Sequence, residues 1–485
     1  MQVKIDTRPL PIVILSRWWR FLVFLLLGYM MYHYYDQTPP EGLTVPGFRA
    51  LLIFLTCLVL WVTRLLPLPV TGLFAIVAPI LLGVMPKEEA FRNFGQEAVF
   101  FIMGVFILAT ALLKSGLSTR MALHLMRSGA RSPKRLVLQI MLTAALLSFI
   151  MSEHAVAAMM FPLVVIISKR LGLTPGKGSY GTILFLAMAW GCVIGGIATM
   201  LGGARVALAA NFLRDFNVAR SAGTNTDTVT FLQWTIAMLP LVIFLFAFCY
   251  FLLTRYFRVD IQTVQEADAA IEEQIRDCGR LVMEEKFLGL LMLSAIAAWI
   301  YVGARGSMAA VSILAVVLLF VFRVVEWKDL QEKMEWGVIL MYGGAIALSS
   351  VLSQTKAGIW FAEHYILPHL SSPWTLVGAL ALISILLAEG MNPSAVVTII
   401  VPIGMNVAEK FGLDPKVVVY AVASASGLAY ALPMSTPPVA LAYSSGYLRM
   451  KEVVAPGLIM VIVSWAALMV TANFWWPVLG IHVGK

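Results

Sequence analysis

The sequence predicts an all-α polytopic membrane protein with two inverted repeats, each holding a re-entrant hairpin and a broken helix, and about 11 transmembrane helices. Three observations lead to this fold. First, 60% of the 485 residues are hydrophobic and 13% are charged, the mean hydropathy is +0.87, and apolar runs near the ~20 residues that span a bilayer recur from end to end. Second, helix breakers recur at a constant distance. Ser132-Pro133, Pro162 and Leu171-Gly172-Leu173-Thr174-Pro175 return 240 residues later as Ser372-Pro373, Pro402 and Phe411-Gly412-Leu413-Asp414-Pro415. The register then slips by seven across Gly176-Lys177-Gly178-Ser179, and 204–209 returns as 437–442. Third, Lys134-Arg135 and Lys169-Arg170 flank only 33 residues, 136–168, too few for two spans of ~20 residues and a turn. Both flanks are basic, so the segment enters and leaves on one side.

Taken in order, the elements begin with a basic arm, cytoplasmic by the positive-inside bias. The apolar run 21–35 opens with Arg17-Trp18-Trp19-Arg20 and leads to a proline-rich loop without a small-residue cleavage site, as in a retained first helix. The loop with Asp36 and Glu41 then lies outside. Spans follow at 48–66, 70–84 and 99–114. Segment 116–135 carries Arg120, Arg127, Arg131, Lys134 and Arg135 with no acid, and lies inside. The first hairpin has its tip near Met151 to Ala155, and backbone exposed there at membrane depth is tolerable only where it lines a cavity. A break at Gly202-Gly203-Ala204-Arg205 and a span at 231–253 come next. The charged linker 255–286 reads as a surface helix pair too short for a catalytic domain. Beyond it lie spans at 287–302, 309–322 and 336–352, a second hairpin over 374–408 with its tip at Asn392-Pro393-Ser394, a break across 433–438 and a last span at 454–476.

Several function classes drop out. The net charge of +9 reads as topology and contact with lipid headgroups rather than nucleic acid, because no basic face with interleaved aromatics appears in a soluble segment. Cys57, Cys192, Cys249 and Cys278 have neither metal nor disulfide spacing and read as apolar packing. His33, His124, His364, His369 and His482 sit at no ligand spacing, so no transition-metal site and no organic cofactor are expected. Broken helices paired across a repeat aim helix-end dipoles at a mid-membrane site, the arrangement of secondary transporters. The competing class is a membrane-embedded enzyme using Glu153 and His154 as an acid/base pair; no nucleophile motif, metal cluster or phosphate loop accompanies them.

Four motifs carry a family resemblance: Pro67-Leu68-Pro69-Val70-Thr71, Met151-Ser152-Glu153-His154-Ala155-Val156-Ala157-Ala158-Met159-Met160-Phe161-Pro162, Gly195-Gly196-Ile197-Ala198-Thr199 and Thr436-Pro437-Pro438. From about residue 48 to 476 the chain resembles the divalent anion:sodium symporter family of di- and tricarboxylate and sulfate transporters. The resemblance implies a homodimer in the inner (plasma) membrane with a scaffold and a transport domain that moves as an elevator. Mapped onto this chain, 1–130 holds N-terminal helices, mainly scaffold; 131–215 is the first transport element; 216–370 is scaffold with the linker 255–286; 371–450 is the second transport element; and 451–485 is the last helix.

The departures fall where the chemistry is. Family hairpin tips read Ser-Asn-Thr and hold sodium and substrate carboxylates; here they read Ser152-Glu153-His154 and Asn392-Pro393-Ser394. The first break has Gly203-Ala204-Arg205-Val206 in place of Thr-Pro-Pro-Asn, and the second ends in Val439. A charge at the bilayer midplane demands a partner, so Glu153 and Arg205 are expected to pair, either as a structural bridge or as part of the site. A guanidinium there also faces an anion bidentately, and His154 adds a group that changes charge near neutral pH. Expected substrate contacts are Ser152, Glu153, His154, Arg205, Asn392, Pro393, Ser394, Thr436 and Pro437; expected coupling-ion contacts are Ser152, Glu153, Gly202, Glu389 and Met391. Glu389 is alternatively a buried, hydrogen-bonded acid. Lys114 and Lys356 end matching apolar runs and are expected to snorkel, and Arg64 stands where the family has an acid. The substrate is a dicarboxylate, sulfate or similar oxyanion. Sodium symport, proton coupling through Glu153 or His154, and sodium-independent anion exchange all remain open.

Overall fold

The computed structural model describes residues 10–35, 37–63, 65–127, 132–220, 228–302, 306–366, 368, 372–433 and 435–483, with 10–20, 362 and 366 as backbone only. Asp36, Arg64, Arg131, His369, Met434 and the first nine residues of the basic arm lie outside the described residues. Among those described, no strand occurs. Seven helical stretches are long and apolar enough to cross a membrane, and the protein is all-α and polytopic.

The chain divides into two compact units. The first comprises Met1–Phe94 and Leu340–Trp360. It contains α1 (Leu10–Tyr34), α2 (Val45–Thr63), α3 (Leu68–Leu81) and α4 (Lys87–Arg92). Small residues let backbones meet here: a Cβ on Gly72 would come within 2.7 Å of the Met341 Cα. Arg49 Nη1 donates to the Leu82 carbonyl at 3.0 Å and its guanidinium lies 3.9 Å from the Tyr35 ring centroid.

The second unit comprises Gly95–Ile339 and Phe361–Lys485. In its first half are α5 (Glu97–Lys114), α6 (Leu117–Arg127), α7 (Pro133–Leu147), α8 (Glu153–Arg170), α9 (Tyr180–Gly196), α10 (Ala204–Arg220) and α11 (Phe231–Tyr256). Then come α12 (Gln265–Asp277), α13 (Met283–Val302), α14 (Met308–Val321) and α15 (Trp327–Lys333); α16 (Trp336–Gln354) starts in this unit, and from Leu340 on it belongs to the first unit, as does α17 (Ala357–Phe361) up to Trp360. The second half closes with α18 (Pro373–Gly390), α19 (Pro393–Lys410), α20 (Pro415–Ala425), α21 (Pro437–Ser444) and α22 (Met450–Phe474).

Both hairpins start on a Ser-Pro pair because proline suits the first helical turn and serine caps it: Ser132 Oγ accepts the Arg135 N–H and Ser372 Oγ accepts the Thr375 N–H. α7 has 15 residues, so it is about 22 Å long against a hydrocarbon core of about 30 Å. It turns back at 148–152 into α8, and α18 turns at 391–392 into α19. The repeats pack reciprocally, with α8 against α21 and α10 against α19.

The structure carries the repeat further upstream than the helix breakers indicate. α3 and α14 match at the 240-residue offset, as do the starts of α4 and α15 and of α6 and α17. Three left-handed positions recur likewise: Gly83 (φ 64°) with Arg323 (φ 55°), Gly116 (77°) with Lys356 (57°), and Gly172 (68°) with Gly412 (67°). A side chain in this region costs ~1–2 kcal/mol, whereas glycine costs ~0.5–1 kcal/mol in chain entropy. Lys356→Gly is therefore expected to raise stability by ~0.5–1 kcal/mol, read as a higher denaturation midpoint; a lower midpoint would show that Lys356 makes a compensating contact.

Four expectations are corrected. The linker forms one helix, α12, rather than a pair: 258–264 is irregular and holds Asp260, whose carboxylate accepts the Ser179 and Tyr180 N–H groups at 2.8 and 3.1 Å. Acids of the linker also pair with two arginines of the basic segment and one at the end of α8: Arg127 meets Glu272 at 2.9 Å, Arg120 meets Glu285 at 3.0 Å, and Arg170 meets Glu273 at 2.5 Å. Lys114 does not snorkel but binds Asp329 at 2.7 Å, and that contact with the Glu326 N–H holds the Asp329 carboxyl below its usual range. The first break spans 197–203 instead of starting at Gly202. Thr199 Oγ1 donates to the Phe149 carbonyl at 2.7 Å and accepts the Leu201 N–H at 3.1 Å, which replaces helical bonds. The second break spans 426–436, well before Pro433, because Glu389 takes up the freed N–H groups there.

Candidate functional site

The first hairpin tip rests on the first break. Ser152 caps α8, its Oγ accepting the Ala155 N–H at 3.3 Å, and the Glu153 N–H donates to the Gly202 carbonyl at 3.0 Å. Arg205, in the first turn of α10, reaches back to Glu153 in a two-pronged pair: Nη1 to Oε1 at 3.1 Å and Nη2 to Oε2 at 3.3 Å. Glu153 is fully buried and Arg205 is 2% exposed. Fork-to-fork geometry of this kind is the strongest arrangement of the two groups. Three glycines make room for it. A Cβ on Gly196 would overlap a Glu153 carboxylate oxygen, and a Cβ on Gly203 or Gly427 would overlap the Arg205 guanidinium. The guanidinium thus lies between the backbones of the two broken helices, and its Nε finds no hydrogen-bond partner among the described residues.

His154 Nδ1 lies 3.9 Å from Glu153 Oε1 and is also without a hydrogen-bond partner. At the second tip, Asn392 caps α19, its Oδ1 accepting the Ser394 N–H at 2.9 Å, with Pro393 in the first helical position. Ser152, His154, Arg205, Asn392, Pro393 and Ser394 line one cavity of about 20 Å³ together with Gly203, Ala204, Phe106, Glu335 and Val338. Two tips 240 residues apart in sequence therefore meet, as expected. The volume holds about one water and nothing larger.

The remaining expected residues are placed differently. Glu153 stands behind Arg205 and does not line the cavity. Thr436 and Pro437 open α21 outside it; Thr436 is 1% exposed and its hydroxyl has no partner among the described residues. Met391 is a buried turn residue, 2% exposed. Glu389 turns away from the tip toward the second break, as a buried hydrogen-bonded acid. Gly427, Phe106 and Glu335 lie in no motif that the sequence offers, and Gly196, part of the motif at 195–199, gains its role only from the contact with Glu153. A larger cavity of about 330 Å³, lined by Glu97, Asn211 and Arg214, contains none of the tip residues, and its Arg214 is bound to Glu97 at 2.5 Å. No group of His, Cys, Asp or Glu with metal-binding geometry occurs among the described residues.

The family described as the sodium:sulfate symporter transmembrane region matches residues 15–482. The chain belongs to that family. The family is one of transporters, so this protein is a transporter of small anions and not an enzyme. It is 26% identical over 473 residues to a sodium-dependent dicarboxylate transporter of Staphylococcus saprophyticus, covering 92% of this chain and 89% of the relative. The corresponding Staphylococcus aureus transporter is also 26% identical, over 475 residues. Among solved structures, the YdaH transporter of Alcanivorax borkumensis superposes with a TM-score of 0.56 at 14% identity, over 81% of this chain and 88% of that one. MtrF of Neisseria gonorrhoeae superposes with a TM-score of 0.54 at 13% identity, over 90% and 96%. At those identities the likeness concerns the fold alone.

Proposed function

We propose that this family member carries a small dicarboxylate or similar oxyanion by an elevator movement of 131–215 and 371–450 against the other helices, as a homodimer in the plasma membrane with its N-terminus cytoplasmic. The observation that carries the reading is the buried Glu153–Arg205 pair beside a cavity formed by both hairpin tips. The guanidinium retains N–H donors beyond those given to Glu153, and an anion is the ligand such donors recognise. The staphylococcal relatives favour a dicarboxylate over sulfate.

The same pair bears on coupling. A hard cation needs several converging oxygens, and both Glu153 oxygens face Arg205. A fixed cation takes the place of a mobile one at the first break, so transport depends weakly on sodium. The test is succinate and sulfate uptake into proteoliposomes with gradients of sodium, protons and counter-anion imposed singly. Replacing sodium by choline is expected to change uptake by less than about threefold, whereas loss of a sodium-bound substrate state costs tenfold per 1.4 kcal/mol. Abolished uptake with a steep sodium dependence would overturn weak coupling and direct attention to the unpartnered hydroxyls of Ser435 and Thr436 at the second break. No uptake of either anion under any gradient would overturn the substrate class.

A further inference from the structure

The second break carries a carboxylate of its own. Glu389, 6% exposed, stands one residue before the end of α18 and turns into 426–436. Its Oε1 accepts the N–H groups of Tyr430 and Ala431 at 2.7 and 2.9 Å, and its Oε2 accepts those of Ala431 and Leu432 at 3.1 and 2.8 Å. Three consecutive amides that a continuous helix would have satisfied converge on one anion, a backbone nest of the kind that binds carboxylates and phosphates. The segment is held from its other side by Trp190 Nε1, which donates to the Tyr430 carbonyl at 3.3 Å. No cationic side chain pairs with Glu389 among the described residues, in contrast to Glu153 at the first break.

An ionised carboxylate has about four acceptor positions, and four N–H contacts occupy them. Glu389 therefore has no lone pair left for a sodium ion, and the nest has no amide left for a substrate carboxylate. Only Gly390 and Met391 separate Glu389 from Asn392, the cap of the second tip.

We infer that Glu389 is a positioning residue: a built-in carboxylate ligand of the second break that ties the second hairpin tip to 430–432 and so sets where Asn392 and Ser394 meet the transported anion. The anion is then engaged at the tips and Arg205, not at the second-break amides. The inference rests on the transport reading above for its kinetic consequence only, since filling of the nest is read independently by stability.

The test compares wild type and Glu389→Ala as purified full-length protein, by thermal unfolding and by succinate uptake in proteoliposomes, with and without tens of millimolar sodium acetate against equal sodium chloride. Acetate is the fragment that the alanine variant lacks. The expected result is a lowered unfolding temperature, and a half-saturating succinate concentration raised about tenfold with the maximal rate within about threefold, the pattern of lost binding geometry. Acetate, and not chloride, should restore at least half of both losses in the variant while leaving wild type unchanged. Glu389→Gln should show the same loss without rescue, because its amide NH2 opposes the N–H donors and still fills the space; it also carries the test if the alanine variant yields no protein. Wild-type affinity in both variants, absence of acetate rescue of stability, or a changed sodium dependence with unaltered affinity at saturating sodium would overturn the inference. If wild type fails to take up succinate, the substrate reading fails, and acetate rescue of unfolding still decides the nest.

Discussion

Glu153→Gln and Arg205→Gln are each expected to destabilise the protein by ~3–5 kcal/mol, because each leaves one uncompensated charge in a site with almost no water. The double variant should recover most of that loss, since a neutral glutamine pair can share hydrogen bonds in the same space. The pair is buried to within 2% of full enclosure and its two contacts are 3.1 and 3.3 Å, so neither ion relaxes to solvent when its partner is removed. Thermal unfolding of the three variants in one detergent gives the coupling energy directly. Anion binding should not return with stability in the double variant, because the guanidinium that faces the cavity is gone. Stability losses that simply add would mean that the contact with Arg205 contributes nothing net.

The second large effect is expected at Gly427→Ala, in a residue that carries no charge and belongs to the other repeat. An alanine Cβ there would stand 2.5 Å from Arg205 Nε and 2.6 Å from its Cζ. The guanidinium cannot move aside without giving up its two contacts with Glu153. Overpacking of this kind costs ~1–3 kcal/mol, and the displaced guanidinium should lower anion affinity as well. The decisive arm places Gly427→Ala in the Arg205→Gln background, where the shorter side chain leaves room and the alanine should cost little; the difference between backgrounds measures the contact. An alanine tolerated equally in both would show that the two broken helices can separate at no cost, and the guanidinium would lose its role as their shared filling.

Much of the architecture was legible because its determinants are local. Ser132-Pro133 and Ser372-Pro373 announce helix starts, the short apolar run between Lys134-Arg135 and Lys169-Arg170 announces the first hairpin, and Pro162 and Pro402 mark equivalent turns that carry it over to the second. Even the Glu153–Arg205 pair followed from a physical demand, since two opposite charges in apolar sequence must find each other. Where local signals end, a distant group supplies the hydrogen bond. The first break starts at 197 because Thr199 finds the Phe149 carbonyl across the hairpin, and the second starts at 426 because Glu389 brings acceptors to amides 41 to 43 residues away.

The medium, the repeat, the two tips and the identity of the unusual charges are written locally, because hydropathy, helix breakers and charge act within a few residues of where they stand. Long-range packing sets the rest: Gly427 cradles Arg205, Glu389 faces the second break rather than the tip, and Arg323 and Lys356 adopt the left-handed turns that their repeat partners assign to glycine. These outcomes depend on which backbone groups remain unsatisfied once the helices have packed, and that balance is struck between residues that the chain brings together only on folding.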